Sequence, residues 1–237
     1  MIQEVECIEG RLKRYIFFAD DNITADPKYS RELFNALKSL NIRWASQASI
    51  LFAKDSGLLQ LAVESGCRAV FIGFESLNQD ALKGVHKSSL YRVEEYREVI
   101  KMLHSYRITV EAVFIFGLDS DDKEVFKRTV DFCYETNIQV AQFTVLTPFP
   151  GTALYKRLEK DGRIITRDWR MYDAFHTVFQ PLQMSPEELQ EGVDKAYKEF
   201  YSLKSSAKRI ACMMPTLKPH YSALISLINY DFYRFAI

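Results

Sequence analysis

The stretch Tyr15-Ile16-Phe17-Phe18-Ala19-Asp20-Asp21-Asn22 decides the fold. Aromatic and β-branched residues run straight into two carboxylates and an amide, and a helix start follows at Asp26-Pro27. That order predicts a buried strand whose C-terminal end delivers polar groups, which is where parallel α/β folds build their sites. The same unit recurs. Ile42 to Ala45 ends in Ser46-Gln47, Ala69 to Phe74 ends in Glu75-Ser76, Val110 to Phe116 ends in Gly117 and Asp119, and Ile138 to Val145 runs into Thr147-Pro148. A helical pattern follows each run. Right-handed crossovers and one parallel sheet, open or curled into a barrel, are therefore expected.

The spacing of apolar residues between these runs predicts the helices. Val5, Ile8 and Leu12 give an opening helix over Ile2 to Leu12. Asp26 is placed to cap a helix that begins at Pro27 and buries Leu33, Phe34, Leu37 and Leu40. A second runs from Asp55 to a C-cap at Gly66, a third from Tyr91 to Tyr106, and a fourth starts near Ser120-Asp121-Asp122, where the acidic residues suit the helix dipole. Beyond the last strand, Thr147 to Thr152 reads as a rigid turn because two prolines exclude a ladder. A short helix to about Lys160 comes next, followed by an aromatic loop over Asp168 to Gln180. Ser185-Pro186-Glu187-Glu188 is a capping box for a helix to about Lys204. Met213 to Ile237 reads as a packing helix interrupted by Pro215 and Pro219.

Composition narrows the function. The chain has 237 residues, 48% hydrophobic and 26% charged, with 31 basic and 31 acidic side chains. Balanced charge offers no bulk attraction for nucleic acid. No apolar run is long enough to span a bilayer and the acidic start is unlike a signal peptide, so a cytoplasmic location is expected. Cys7, Cys67, Cys133 and Cys212 stand too far apart for metal-ligand or redox spacing, and Cys67 and Cys133 read as buried small hydrophobes. His86, His104, His176 and His220 show no ligand spacing either.

The candidate site residues sit where strands end. Asp20, Asp21 and Asn22 can hold a metal, an ammonium group or ribose hydroxyls, or can serve as loop and helix caps. Glu75 and Ser76 reach the same rim, with an N-cap or a core ion pair as the alternative. Gln142 and Thr144 alternate with apolar Phe143 and Val145 and so share one face of the last strand, facing a barrel interior or making a structural hydrogen bond.

Taken in order, Phe17 to Asn22, Gly66-Cys67 through Gly73-Phe74-Glu75-Ser76, Phe114 to Asp119, and Leu146-Thr147-Pro148-Phe149-Pro150-Gly151 to Tyr155 resemble the radical S-adenosylmethionine superfamily. The likeness is to the branch that often carries a cobalamin-binding domain upstream. Asp168-Trp169 to Asp173 and Met184 to Leu189 are similar to that branch's C-terminal extension, so the resemblance reaches about residue 210. It implies a partial, open (βα)6 barrel missing its first strand over residues 1–160, with a mainly helical extension over residues 161–237. Family members hold S-adenosylmethionine against a four-iron four-sulfur cluster and cleave it reductively to a 5′-deoxyadenosyl radical. Some carry out cobalamin-assisted methyl transfer instead. By position the resemblance implies that Asp20, Asp21 and Asn22 meet the methionyl amino group, that Glu75 and Ser76 meet the ribose or carboxylate, and that Gln47 and Gln142 supply further cofactor contacts.

The family's three-cysteine cluster loop follows its first strand, and no cysteine set here has that spacing. The chain alone is thus expected to hold no cluster and to lack catalysis, and the edge left without a first strand should be sticky or dependent on a partner. The implied partners are a small-molecule or lipid-like substrate, a reductant protein and a separate chain bearing the cluster loop; no nucleic acid is indicated. Two other readings stand beside the enzyme. One is a catalytically silent barrel fragment that binds S-adenosylmethionine or a nucleotide, or completes a partner's barrel. The other is an unrelated metal-dependent barrel enzyme using Asp20 or Asp21 with Glu75.

Overall fold

A computed structural model describes residues 1–8, 15–84 and 91–213. Five strands, β1 (Tyr15–Phe18), β2 (Arg43–Gln47), β3 (Cys67–Glu75), β4 (Thr109–Phe116) and β5 (Val140–Val145), form one sheet in the order β1-β2-β3-β4-β5. Strand order equals chain order, with no reversal. That is the winding of a βα barrel rather than of a doubly wound sheet, and it agrees with the sequence reading. The described residues divide into two compact units, one of those within 1–74, 94–112 and 138–140, the other of those within 75–93, 113–137 and 141–213.

In the first unit, β1 and β2 pair in parallel with Phe18 opposite Ser46, and β2 pairs in parallel with β3 with Gln47 opposite Phe71. The helices are α1 (Ile2–Cys7), α2 (Pro27–Leu37), α3 (Ser56–Glu64) and α5 (Tyr96–Ser105). α2 starts as its sequence dictates, with the Asp26 carboxylate accepting from the Lys28 and Tyr29 amides and proline in the first turn. It buries Leu33, Phe34 and Leu37. Phe34 lies against Trp44 of β2, with ring centroids 5.0 Å apart, and Trp44 Nε1 donates to Ser65 Oγ at 3.1 Å. Pleating then puts Tyr15, Phe17, Arg43 and Gln47 on the sheet face away from α2. Gly66 ends the α3 turn at φ +105°, and a Cβ there would stand 2.1 Å from the Ile42 carbonyl oxygen, so no other residue fits without moving backbone.

In the second unit lie α4 (Gln79–Gly84), α6 (Val125–Glu135), α7 (Ala153–Lys160), α8 (Pro186–Phe200) and α9 (Leu203–Met213). The Ser185 capping box is present in both directions: the hydroxyl accepts from the Glu188 amide, and the Glu188 carboxylate accepts from the Ser185 amide. α8 closes against α6 at Gly192, where a Cβ would fall 2.2 Å from the Phe126 ring. It also finishes the sheet. The Phe143 amide donates to the Tyr197 hydroxyl at 3.0 Å, the Ala141 amide donates to the Tyr201 hydroxyl at 3.0 Å, and that hydroxyl donates back to the Ala141 carbonyl at 2.8 Å.

Several boundaries differ from the sequence reading. The third long helix starts at Tyr96, after a 3-10 turn over Val93–Glu95, and a short α4 precedes it. The fourth starts at Val125, because Asp121 turns back to the strand instead of capping forward. The capping-box helix ends at Phe200, with α9 following as a separate helix. The opening helix is seen over Ile2–Cys7; residues 9–14, His86 and the segment beyond Met213, with His220, lie outside the described residues. Among the described residues no helix is long and apolar enough to cross a membrane.

Candidate functional site

The proposed residues fall in both units. Asp20, Asp21, Asn22 and Gln47 belong to the first, and Glu75, Ser76 and Gln142 to the second.

In the first unit the loop after β1 is tied to the loop after β2. Asp20 Oδ1 accepts from the Asn22 amide at 3.0 Å. Asn22 Oδ1 accepts from the Thr24 amide, the Thr24 hydroxyl at 2.8 Å and the Ser49 amide at 3.2 Å, and the Ile23 amide donates to the Gln47 carbonyl. The Asn22 side-chain oxygen is therefore spent on holding this corner. Asp21 and the Gln47 side chain are exposed, and Asp20 is half-buried.

In the second unit Glu75 is the last residue of β3, 8% exposed, with φ +64°. A non-glycine residue there costs about 1 kcal/mol, and a buried carboxylate needs a cation or donors around it. Strain of this kind concentrates at functional sites. Ser76 is buried next to it and its hydroxyl accepts from the Asn78 amide, opening the turn into α4. On β5, Gln142 and Thr144 are half-buried on one face, as expected, and the Thr144 hydroxyl donates to the Phe114 carbonyl at 3.1 Å.

The loop after β4 carries features that sequence reasoning did not assign to a site. Gly117 takes φ +95°, and Asp121 Oδ2 accepts from the Gly117 and Leu118 amides at 3.0 and 2.9 Å. Burial pushes the Asp121 carboxyl up to about 6 despite those two donors. Asp119 accepts from Arg157 Nη1 at 2.5 Å and Arg163 Nη1 at 2.9 Å. Burial alone would raise its carboxyl, but the two guanidiniums hold it below the usual carboxylate range. The one available signal was a glycine at a strand end followed, after Leu118, by the polar run Asp119-Ser120-Asp121-Asp122, which also fits a helix start. Beside this loop is a cavity of about 520 Å³ lined by Ala81, Leu118, Ser120, Leu146, Leu154 and Arg157, among others.

Cys67 and Cys133 do not suit an iron–sulfur cluster. Cluster ligands are thiolates, yet Cys67 and Cys133 are fully buried, and burial raises both thiols, Cys67 to about 12. Among the described residues no group of three or more His, Cys, Asp or Glu is arranged to hold a metal ion. His104 is partly buried against Gln139, and His176 pairs with Asp173, so both have structural partners. In the second unit Glu75 and Ser76 together present a buried carboxylate and a hydroxyl at the end of β3.

Residues 152–228 match the family model described as Domain of unknown function (DUF4070). The chain is 38% identical over 201 residues, 85% of its length, to bacteriochlorophyllide d C-12(1)-methyltransferase of Chlorobaculum tepidum, and spans 43% of that protein. Among solved structures it is similar to the radical S-adenosylmethionine methyltransferase TsrM from Kitasatospora setae, with a TM-score of 0.56 and 18% identity over 76% of this chain and 35% of that one. It is also similar to coproporphyrinogen III oxidase (HemN) from Escherichia coli, with a TM-score of 0.57 and 12% identity over 81% and 40%. At these identities the two structures speak for the fold, a partial barrel of the same winding.

Proposed function

We propose, from the premise that this chain belongs to the radical S-adenosylmethionine superfamily, that it supplies barrel strands over residues 1–160 and a C-terminal extension over residues 161–237 to an enzyme that transfers a methyl group from S-adenosylmethionine to a tetrapyrrole side chain. The 38% identity to a bacteriochlorophyllide methyltransferase over 201 residues carries this reading. In it, Asp20 and Asp21 accept from the methionyl ammonium, Asn22 holds their loop in place, and Glu75 and Ser76 bind the ribose hydroxyls or orient the carboxylate end. Gln47 and Gln142 add hydrogen bonds at their strand ends. Bound S-adenosylmethionine supplies an activated sulfonium methyl group; the residues named here bind and orient it.

The proposal assigns the four-iron four-sulfur cluster to thiolates other than the four in this chain, whether in the same protein or in a separate chain bearing the cluster loop. Cobalamin enters through the sequence branch that the motifs resemble. A reductant protein and a cytoplasmic setting complete the reading.

Titration of the chain with S-adenosylmethionine tests it. Binding is expected, weakened about tenfold or more by Glu75→Gln, the loss of one charge-assisted contact, and likewise by Asp20→Asn. Mass spectrometry of a bacteriochlorophyllide incubated with S-adenosylmethionine, cobalamin, the chain, a cysteine-bearing companion and reductant should show one added methyl group. Binding without methyl transfer would favour the silent-fragment reading, and absence of binding would overturn both.

A further inference from the structure

Three buried polar atoms without a hydrogen-bond partner among the described residues gather at one loop of the second unit: Ser120 Oγ, Asp121 Oδ1 and Arg163 Nη2. Buried polar groups are nearly always satisfied, and such exceptions commonly mark where a ligand or water belongs. Ser120 lines the cavity of about 520 Å³, a size that suits a small organic molecule. The rest of that wall is largely apolar, from Ala81, Leu118, Leu146 and Leu154.

The charge of the wall is unbalanced. Asp119 is shared by two guanidiniums, Arg157 and Arg163, so this triad carries one positive charge in excess. The other carboxylate on the wall, Asp80, is already paired with Lys83. Arg157 is half-exposed and can leave Asp119 without stranding it, because Arg163 remains. An apolar wall with one spare guanidinium and an unpaired hydroxyl matches an apolar body that ends in a carboxylate.

We infer that this cavity binds an organic anion of that kind, and that in the proposed enzyme it holds the carboxylate-bearing edge of the tetrapyrrole substrate. The identification of the anion rests on the tetrapyrrole reading above. Arg157 turns from Asp119 to the ligand carboxylate, and the Ser120 hydroxyl donates to its second oxygen.

Fluorescence titration of the whole chain with pyropheophorbide a, a chlorin with one free carboxylate, and with its methyl ester tests the inference. The acid is expected to bind about tenfold or more tightly than the ester. Arg157→Gln should erase that preference. Asp119→Asn should widen it, because both guanidiniums are then released, and opposite effects from two changes in one triad separate charge recognition from general damage to the fold. Saturating S-adenosylmethionine should leave the chlorin affinity unchanged. Equal binding of acid and ester, or binding of neither, would overturn the inference. Displacement of the chlorin by S-adenosylmethionine would also overturn it, giving the cavity to the methyl donor while leaving the proposed function intact.

Discussion

The two terminal strands of the sheet are finished in different ways. At β5 the outward-pointing backbone groups of Ala141 and Phe143 are met by the hydroxyls of Tyr201 and Tyr197, so α8 takes the place of a sixth strand. Along a parallel strand the amide and carbonyl of one residue point to the same side. One tyrosine hydroxyl can therefore satisfy both groups of Ala141. At β1, among the described residues, only β2 pairs with the strand, and Tyr15 and Phe17 are 47% and 51% exposed. Their contacts lie on one face: Phe17 meets the Phe71 ring at 5.1 Å, and Arg43 donates to the Tyr15 hydroxyl at 2.9 Å. One end is closed by directional bonds, while the other keeps an apolar surface that another segment or chain can cover.

The comparison can be broken or sharpened by substitution. Tyr201→Phe should have the largest effect, about 2–4 kcal/mol in urea melts, because it strands a buried amide and a buried carbonyl together. A loss below about 1 kcal/mol would mean that the tyrosine is not what closes this edge.

Next comes the loop after β4. Burial raises the Asp121 carboxyl to about 6, well above the ordinary carboxylate value, so the folded chain holds that proton more tightly than the unfolded chain. The resulting stability is present below about pH 4 and is lost as pH rises through about 6, on the order of 1–3 kcal/mol in all. Asp121→Asn should flatten that part of the stability–pH curve; an unchanged slope would refute the assignment.

Tyr197→Phe strands only the Phe143 amide and should cost about 1 kcal/mol, less than Tyr201→Phe. Equal losses for the two tyrosines would refute the two-bond account of Tyr201. Smallest in stability is Phe17→Lys, at about 1 kcal/mol or less. Its expected effect is on association: sedimentation should show fewer oligomers than the parent chain, since a charge on an edge strand opposes pairing. Unchanged self-association would mean that the β1 edge does not carry it.

Much of this was legible in the chain. Apolar runs ending in polar residues placed all five strands, period-3.6 patterns placed most helices, and local chemistry placed the caps at Asp26 and Ser185 and the turn at Gly66, because each depends on neighbours within a few residues. Of the run Ser120-Asp121-Asp122, Asp122 does accept from the Glu124 amide at the helix start, but Asp121 turns the other way. A carboxylate after a strand and before a helix can cap either one, and only the amides of Gly117 and Leu118, held in place by the fold, draw Asp121 backward. Asn22 shows the same ambiguity: its residue type suits a ligand, but three donors from its own unit occupy its oxygen.

The sequence by itself determined the strand–helix alternation, written in short-range periodicity, and its motifs in fixed order carried the resemblance from which a partial barrel was expected. Only the tertiary structure decided that Glu75 is buried in a left-handed conformation, that Arg157 and Arg163 share Asp119, and that Tyr197 of α8 and Tyr201 just beyond it finish the sheet. Those features join residues up to 60 positions apart or depend on burial, and neither distance nor desolvation can be read from the order of residues along the chain.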